Sequence, residues 1–239
     1  MTSSEQDDRT DQDPAPTPPE QGVRTALFGS PSPAELAERA LALRSSRRVL
    51  LGIVGEPGSG KSTLAAQVLD AVERLRPGVA TAVSMDAFHL AQKVLDARGQ
   101  GGVKGTIETF DGHGFLAQLR RTRDEGSGHS VWWPEFRREI EEPVAGAVEV
   151  APHHRLVLVD GNFLLAPHDP WHLVRDTLTE CWFLDADPEA RRRRLTLRYI
   201  RYGFTPEAAR AKAYGVDERT SALIRSTASR ADLVLRENR

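Results

Sequence analysis

The stretch Arg48-Val49-Leu50-Leu51-Gly52-Ile53-Val54-Gly55-Glu56-Pro57-Gly58-Ser59-Gly60-Lys61-Ser62-Thr63 runs from an apolar segment into a glycine-rich turn. Its second half, Gly55 to Ser62, reads G-x-x-x-x-G-K-S, the signature of a phosphate-binding loop. The apolar first half has the composition of a parallel strand buried on both faces. Downstream, Leu64, Val68, Leu69, Val72 and Leu75 fall at helical spacing. Strand, glycine loop and helix are the geometry the signature needs. The glycines let backbone N–H groups turn toward a polyphosphate, and the helix adds the positive end of its dipole. Gly55, Glu56, Pro57, Gly58, Ser59, Gly60 and Thr63 are therefore candidate nucleotide contacts. Lys61 reaches the β- and γ-phosphates, and the Ser62 hydroxyl can join a Mg²⁺ shell. A bound ATP or GTP is expected.

Outward from the loop, apolar runs at 48–54, 79–85, 155–160, 181–186 and 231–235 read as strands, with helical segments in most of the gaps. Alternation of this kind predicts an α/β fold with a mainly parallel, five-stranded sheet. Residues 1–31 are acidic, polar and proline-rich, which predicts an unstructured tail ahead of a single domain over 32–239. A lead-in helix over 33–43 follows, with Ser32 as its cap and Pro33 in its first turn. The gap between 86 and 155 breaks the alternation. It carries a glycine-rich loop around Lys104, a helix near 113–124 and a hairpin through 129–150. An insert there, over 87–152, is placed to build a substrate pocket on the scaffold.

Composition excludes several classes. A net charge of −2 gives no electrostatic reason to expect nucleic acid or an anionic membrane as partner. The single cysteine, Cys181, rules out an intrachain disulfide framework and fits a cytoplasmic location. No apolar stretch reaches the roughly 18 residues of a membrane span. The N-terminus is too acidic and proline-rich for a signal peptide.

In open parallel sheets, ligands bind beyond the carboxyl ends of the strands. The second strand ends in Met85-Asp86-Ala87-Phe88-His89. A carboxylate there can orient or deprotonate an attacking hydroxyl, so Asp86 is the candidate catalytic group together with Lys61, and His89 is a candidate substrate contact. The third strand ends in Asp160-Gly161-Asn162, an apolar run closed by an acid, which places Asp160 with Ser62 as a candidate metal ligand. After the fourth strand, Asp187-Pro188 starts a helix. Arginines at 191, 194, 198 and 201 share one face of it. Such a face, over 187–203, can close on a nucleotide and offset developing charge. Lysine is scarce in the chain, which singles out Lys104 as a substrate contact.

These segments in this order resemble the phosphoribulokinase/uridine kinase family of P-loop kinases. The resemblance spans roughly 47–236. It rests on Gly55 to Ser62, Met85 to His89, Lys104-Gly105-Thr106-Ile107-Glu108-Thr109-Phe110-Asp111, Pro134 to Pro143, Val159 to Leu165 and the arginine helix. It implies a three-layer α/β/α P-loop NTPase fold with an acceptor-site insert. The implied activity is transfer of the γ-phosphoryl group of ATP, with Mg²⁺, to a hydroxyl of a small metabolite such as a nucleoside, a sugar or pantothenate. The aspartate matching Asp86 would be the general base, and Thr109, Phe110, Asp111 and Arg138 would line the acceptor site. Arg194 and Arg198 would reach the nucleotide. Many relatives carry glutamate where Asp160 stands, so its contact with the metal would run through water. Dimers are common among such kinases, which makes a homodimer one expected assembly. The rival functions are a nucleotide-binding regulatory NTPase and a nucleoside monophosphate kinase. The latter would need basic groups for the acceptor phosphate.

Overall fold

A computed structural model describes residues 25–26, 31–124 and 128–236. In chain order these form β1 (Thr25–Ala26), α1 (Pro33–Ala42), β2 (Val49–Gly55), α2 (Lys61–Leu75), β3 (Ala80–Ser84), α3 (Gln92–Ala97), α4 (Gly112–Asp124), β4 (Val131–Arg137), β5 (Glu142–Val150), β6 (Leu156–Gly161), α5 (Trp171–Thr177), β7 (Glu180–Asp185), α6 (Pro188–Arg201), α7 (Pro206–Tyr214), α8 (Val216–Ser226) and β8 (Leu233–Arg236). The five expected strands are present close to their expected positions. With β1 they form one six-stranded parallel sheet in the order β1-β8-β7-β2-β6-β3. The tail expected over 1–31 lies outside the described residues, except for Thr25–Ala26 and Pro31. Thr25 and Ala26 pair with Leu233 and Val234, adding a two-residue strand at the sheet edge where an unstructured chain was expected.

Period-two alternation along the central strand sorts the core into two layers. Leu50 and Val54 of β2 face one side, with Val157 and Val159 of β6, Phe115 and Leu119 of α4 and Trp171 and Val174 of α5. Leu51 and Ile53 face the other, with Leu158, Trp182, Leu36 and Ala40 of α1 and Val68 and Val72 of α2. β2 is buried along its whole length, which is why its sequence is a continuous apolar run. Cys181 sits in this core, and burial pushes its thiol well above the usual range.

Local signals set the helix ends. Ser32 Oγ accepts from Glu35 N–H at 3.3 Å while the Glu35 carboxylate accepts from Ser32 N–H at 2.7 Å, a reciprocal cap on α1. Asp187 accepts from Ala190 N–H at 2.9 Å and Pro188 opens α6, as the sequence predicts. The expected hairpin is the antiparallel pair β4–β5, with a register shift between Trp133 and Glu135. Pro134 at the shift has no N–H to give the ladder. No helix among the described residues is long and apolar enough to cross a membrane.

Candidate active site

The parallel sheet brings the candidate residues to one edge. Ser84 of β3 is in register with Asp160 of β6, and Ile53 of β2 is in register with Asp160 on the other side. The loop after β2, the turn after β3 and the end of β6 are therefore adjacent. Gly58 and Gly60 adopt φ of 78° and 93°, conformations that favour glycine. A Cβ on Gly58 would come within 2.7 Å of the Arg191 carbonyl oxygen and Leu195, so the loop packs directly on α6. A Cβ on Gly60 would meet nothing within 4 Å, so this face of the loop is open.

Behind that open face, Ser62 Oγ donates to Asp160 Oδ2 at 2.6 Å. A hydroxyl and a carboxylate meeting beside the loop fit a divalent cation held jointly with phosphate oxygens. Lys61 is buried at 8% exposure. Burial pushes its ammonium below the usual lysine range, against the pull of Asp86 and Asp160. Burial also pushes the Asp160 carboxyl up, with Asp86 adding to the rise and Lys61 and Ser62 opposing it.

Asp86 lies in a short 3₁₀ turn, Met85–Phe88, capped by Ser84, whose Oγ accepts from Asp86 N–H at 3.2 Å. Its Oδ2 accepts from Arg138 Nη2 at 2.6 Å. Burial pushes the Asp86 carboxyl up, but His89 where its ring is protonated at acid pH, together with Arg138, Lys61 and Arg198, outweighs it and holds the group below the usual carboxylate range. His89 Nδ1 lies 2.7 Å from the Asp86 carbonyl oxygen. A carbonyl can only accept, so Nδ1 carries the proton and Nε2 is left as an acceptor. Burial lowers the His89 pKa, which keeps the ring neutral near pH 7. The ring packs against Phe110 and Phe136, with centroids at 4.0 and 4.9 Å.

Three cavities follow one another across the loop. One of about 410 Å³ is lined by Leu36, Thr63, Leu64, Leu184, Leu235 and Arg194. A groove of about 180 Å³ lies on the loop, between Gly58, Gly60, Ser62 and α6. Another of about 410 Å³ lies under the insert, with Lys61, Asp86, His89, Arg138 and Asn162 in its walls. Gly60, Thr63 and Arg194 are common to the first and second, and Lys61 and Arg198 to the second and third. Arg194 and Arg198 stand about one helical turn apart and span the groove from end to end. Arg194 Nη1 lies 3.4 Å from the carbonyl oxygens of Gly58 and Ser59.

No family model matches the chain. The ATP-dependent kinase-like protein notR′ of Aspergillus versicolor is 31% identical over 134 residues, 54% of this chain and 78% of that protein. A candidate uridine kinase of Schizosaccharomyces pombe, C227.14, is 34% identical over 143 residues, 57% of this chain and 60% of that protein. Among solved structures, a candidate fructose transport system kinase from Silicibacter sp. TM1040 is 32% identical with a TM-score of 0.77, covering 85% of this chain and 98% of that one. The chain belongs to the P-loop kinases of the uridine kinase and phosphoribulokinase-like group.

In this P-loop kinase the expected site residues divide into two sets. Lys61, Asp86, His89, Lys104, Arg138 and Arg198 line one cavity together. Thr109, Phe110 and Asp111 do not. Thr109 Oγ1 is engaged within its own loop, donating to the Thr106 carbonyl at 2.7 Å and accepting from Gly105 N–H at 2.9 Å. Phe110 is buried behind His89, and Asp111 caps α4 by accepting from Gly114 N–H at 2.8 Å. Arg191 also departs from expectation. It is 0% exposed and belongs to an ion-pair cluster rather than to the cavity face. Its Nε lies 3.0 Å from Glu56 Oε2, and its Nη2 pairs with Glu218. Arg225 bridges the same two acids at 3.0 and 3.1 Å. Thus Glu56, expected as a nucleotide contact, anchors the loop to α6 and α8. Sequence reasoning missed Tyr199, Lys212 and Asp217 in the cavity wall. It also missed Asn162 as a site residue. The buried Asn162 Oδ1 has no hydrogen-bond partner among the described residues. Its place directly after the Asp160-Gly161 strand end was the available signal.

Proposed function

We propose that this kinase transfers the γ-phosphoryl group of ATP to a hydroxyl of a small metabolite, with Asp86 accepting the hydroxyl proton. The observation that carries this reading is the sharing of Lys61 and Arg198 between the loop groove and the cavity that holds Asp86. A γ-phosphate on the loop would face that cavity. The nucleoside end of ATP suits the apolar cavity beyond Arg194, walled by Leu36, Leu64, Leu184 and Leu235.

In the reaction, the acceptor oxygen forms a bond to the γ-phosphorus as the bond to the β,γ-bridging oxygen breaks. ADP leaves, and the proton passes to the Asp86 carboxylate. Arg138 engages Asp86 Oδ2, which leaves the other carboxylate oxygen for the acceptor. Lys61, Arg194 and Arg198 offset charge on the phosphates. A Mg²⁺ bound with the nucleotide, held by Ser62 and Asp160, would neutralise further phosphate charge. The cavity volume of about 410 Å³ suits a small metabolite.

The test is ADP release from ATP over a panel of nucleosides, sugars and vitamin precursors, run with wild type and Asp86→Asn. The variant should bind ATP as wild type does and lose at least about 100-fold of acceptor-stimulated turnover. Turnover that no metabolite stimulates, or that survives Asp86→Asn, would sink the reading.

A further inference from the structure

Of the 32 basic residues of the chain only four are lysine: Lys61, Lys93, Lys104 and Lys212. Three of those four line the cavity that holds Asp86. Lys61 belongs also to the loop groove, but Lys104 and Lys212 line the acceptor cavity and not the groove. They come from different elements, Lys104 from the insert and Lys212 from α7.

Neither of these two ammonium groups forms an ion pair among the described residues. Lys104 Nζ donates to the Glu141 carbonyl oxygen at 2.6 Å and lies 5.4 Å from the Phe136 ring centroid. Lys212 Nζ lies 5.0 Å from the Tyr199 centroid and 5.7 Å from that of Phe204. A carbonyl and aromatic faces steady an ammonium without neutralising it. The carboxylates of the same cavity are otherwise placed. Asp86 is paired with Arg138. Asp217 Oδ2 accepts from the Tyr199 hydroxyl at 2.7 Å. Burial raises its pKa against the pull of Tyr199, Lys212 and the nearby arginines, and it makes no ion-pair contact with Lys212 among the described residues. Glu139 and Glu141 are exposed at the rim, where water screens them. Two positive charges thus face a confined cavity with no partner in ion-pair contact, a costly arrangement for an uncharged ligand.

We infer that the acceptor carries an anionic group, a carboxylate or a phosphate, and that Lys104 and Lys212 receive it while its hydroxyl meets Asp86. The inference rests on the kinase reading above and narrows it to anionic hydroxyl metabolites. A lysine ammonium is a compact charge with three donors on a flexible stem, and it suits either group.

The experiment compares acceptor pairs in which one member carries an anionic group and the other a neutral group in its place, in ADP release with ATP and Mg²⁺. Glycerate is set against glycerol and pantothenate against pantothenol for the carboxylate arm. Ribose 5-phosphate against ribose and uridine monophosphate against uridine form the phosphate arm. At least one anionic member should stimulate turnover while its neutral partner does not. Lys104→Met and Lys212→Met, which keep the stem against the rings, should each raise its KM at least about tenfold with a smaller effect on kcat. Lys104→Arg and Lys212→Arg, which keep the charge, should recover most of that loss. Neutral members that work as well as their anionic partners, or methionine variants with an unchanged KM, overturn the inference and leave the kinase reading standing. If no member of the panel is turned over, inorganic phosphate is titrated into enzyme loaded with Mg²⁺ and the β,γ-imido analogue of ATP. Phosphate binding weakened at least about tenfold in the double methionine variant supports the anion subsite while the kinase reading fails. Equal or absent binding in wild type and variant overturns the subsite.

Discussion

Arg138 Nη2 donates to Asp86 Oδ2 at 2.6 Å, tying the hairpin insert to the end of β3 across 52 residues of sequence. The contact has an electrostatic consequence. Burial alone would raise the Asp86 pKa, and Arg138 is one of the cations that reverse the sign. Asp86 is then ionised throughout the neutral range, and its acid limb lies below the ordinary carboxylate value. Arg138→Met should move the acid limb of kcat/KM upward and lower kcat at pH 7 by about tenfold. A pH–rate profile of the variant with an unshifted acid limb would remove Arg138 from this role.

Burial of the Glu56–Arg191 pair sets a second expectation. Arg191→Met leaves Glu56, itself only 2% exposed, with Arg225 as its remaining ion-pair partner among the described residues. Breaking a buried pair from one side costs about 3–5 kcal/mol. The double variant Glu56→Gln/Arg191→Met should recover part of that loss, because the uncompensated charge is gone. Urea unfolding of the two single variants and the double variant measures the coupling. Strict additivity would show that the pair contributes nothing jointly.

Glu218 adds a pH dependence to stability. Burial pushes its carboxyl up, but hydrogen bonds from Arg192, Arg225 and Arg191 pull it down from 4.5 to about 2. A folded pKa below the unfolded one means that the stabilisation is complete above about 4.5 and is lost as pH falls toward 2. Its size is on the order of 1–2 kcal/mol once solvent screening is allowed for. Thermal unfolding followed by circular dichroism between neutral and acid pH should show a shallower decline for Glu218→Gln than for wild type. Parallel curves would contradict the linkage.

The two loop glycines should respond differently to alanine. Both have positive φ, which costs a non-glycine residue about 1–2 kcal/mol. At Gly58 the new methyl would also collide with the Arg191 carbonyl oxygen and Leu195 at 2.7 Å, so the loop must leave α6. Gly58→Ala should therefore lower stability to urea well beyond Gly60→Ala, which meets no neighbour in the protein. Equal losses would mean that backbone strain alone matters.

The legible parts of the sequence were those where burial writes a pattern. Leu50 and Val54 against Leu51 and Ile53 had to be apolar on both faces, so β2 read as a central strand. Asp86 and Asp160 stood out because each closes such a run. Lys212 and Asp217 left no such mark, since neither closes an apolar run and both reach the cavity only through tertiary packing. Periodicity put Arg191 on the face of Arg194 and Arg198, but spacing gives direction around a helix and not depth along it. Arg191 is held beneath Glu56 of the loop and Glu218 of α8, whereas Arg194 and Arg198 line the groove. Likewise, resemblance located the segment around Thr109 near the site without telling which way its side chains turn. Asp111 is spent on capping α4 and Phe110 on the core.

The clamp between Glu56 and Arg191 couples the phosphate loop to the base of α6 as a single rigid part. Gly58 against the Arg191 carbonyl leaves no slack between them. Tyr202, Phe204 and Lys212 instead follow Arg201, and Gly203 breaks the chain there with φ of 90°. On the proposed reading, the donor side is thus packed tightly on α6, whereas part of the acceptor wall comes from the segment beyond Gly203. A change of metabolite would then fall mainly on that segment and the insert, with the nucleotide cradle untouched.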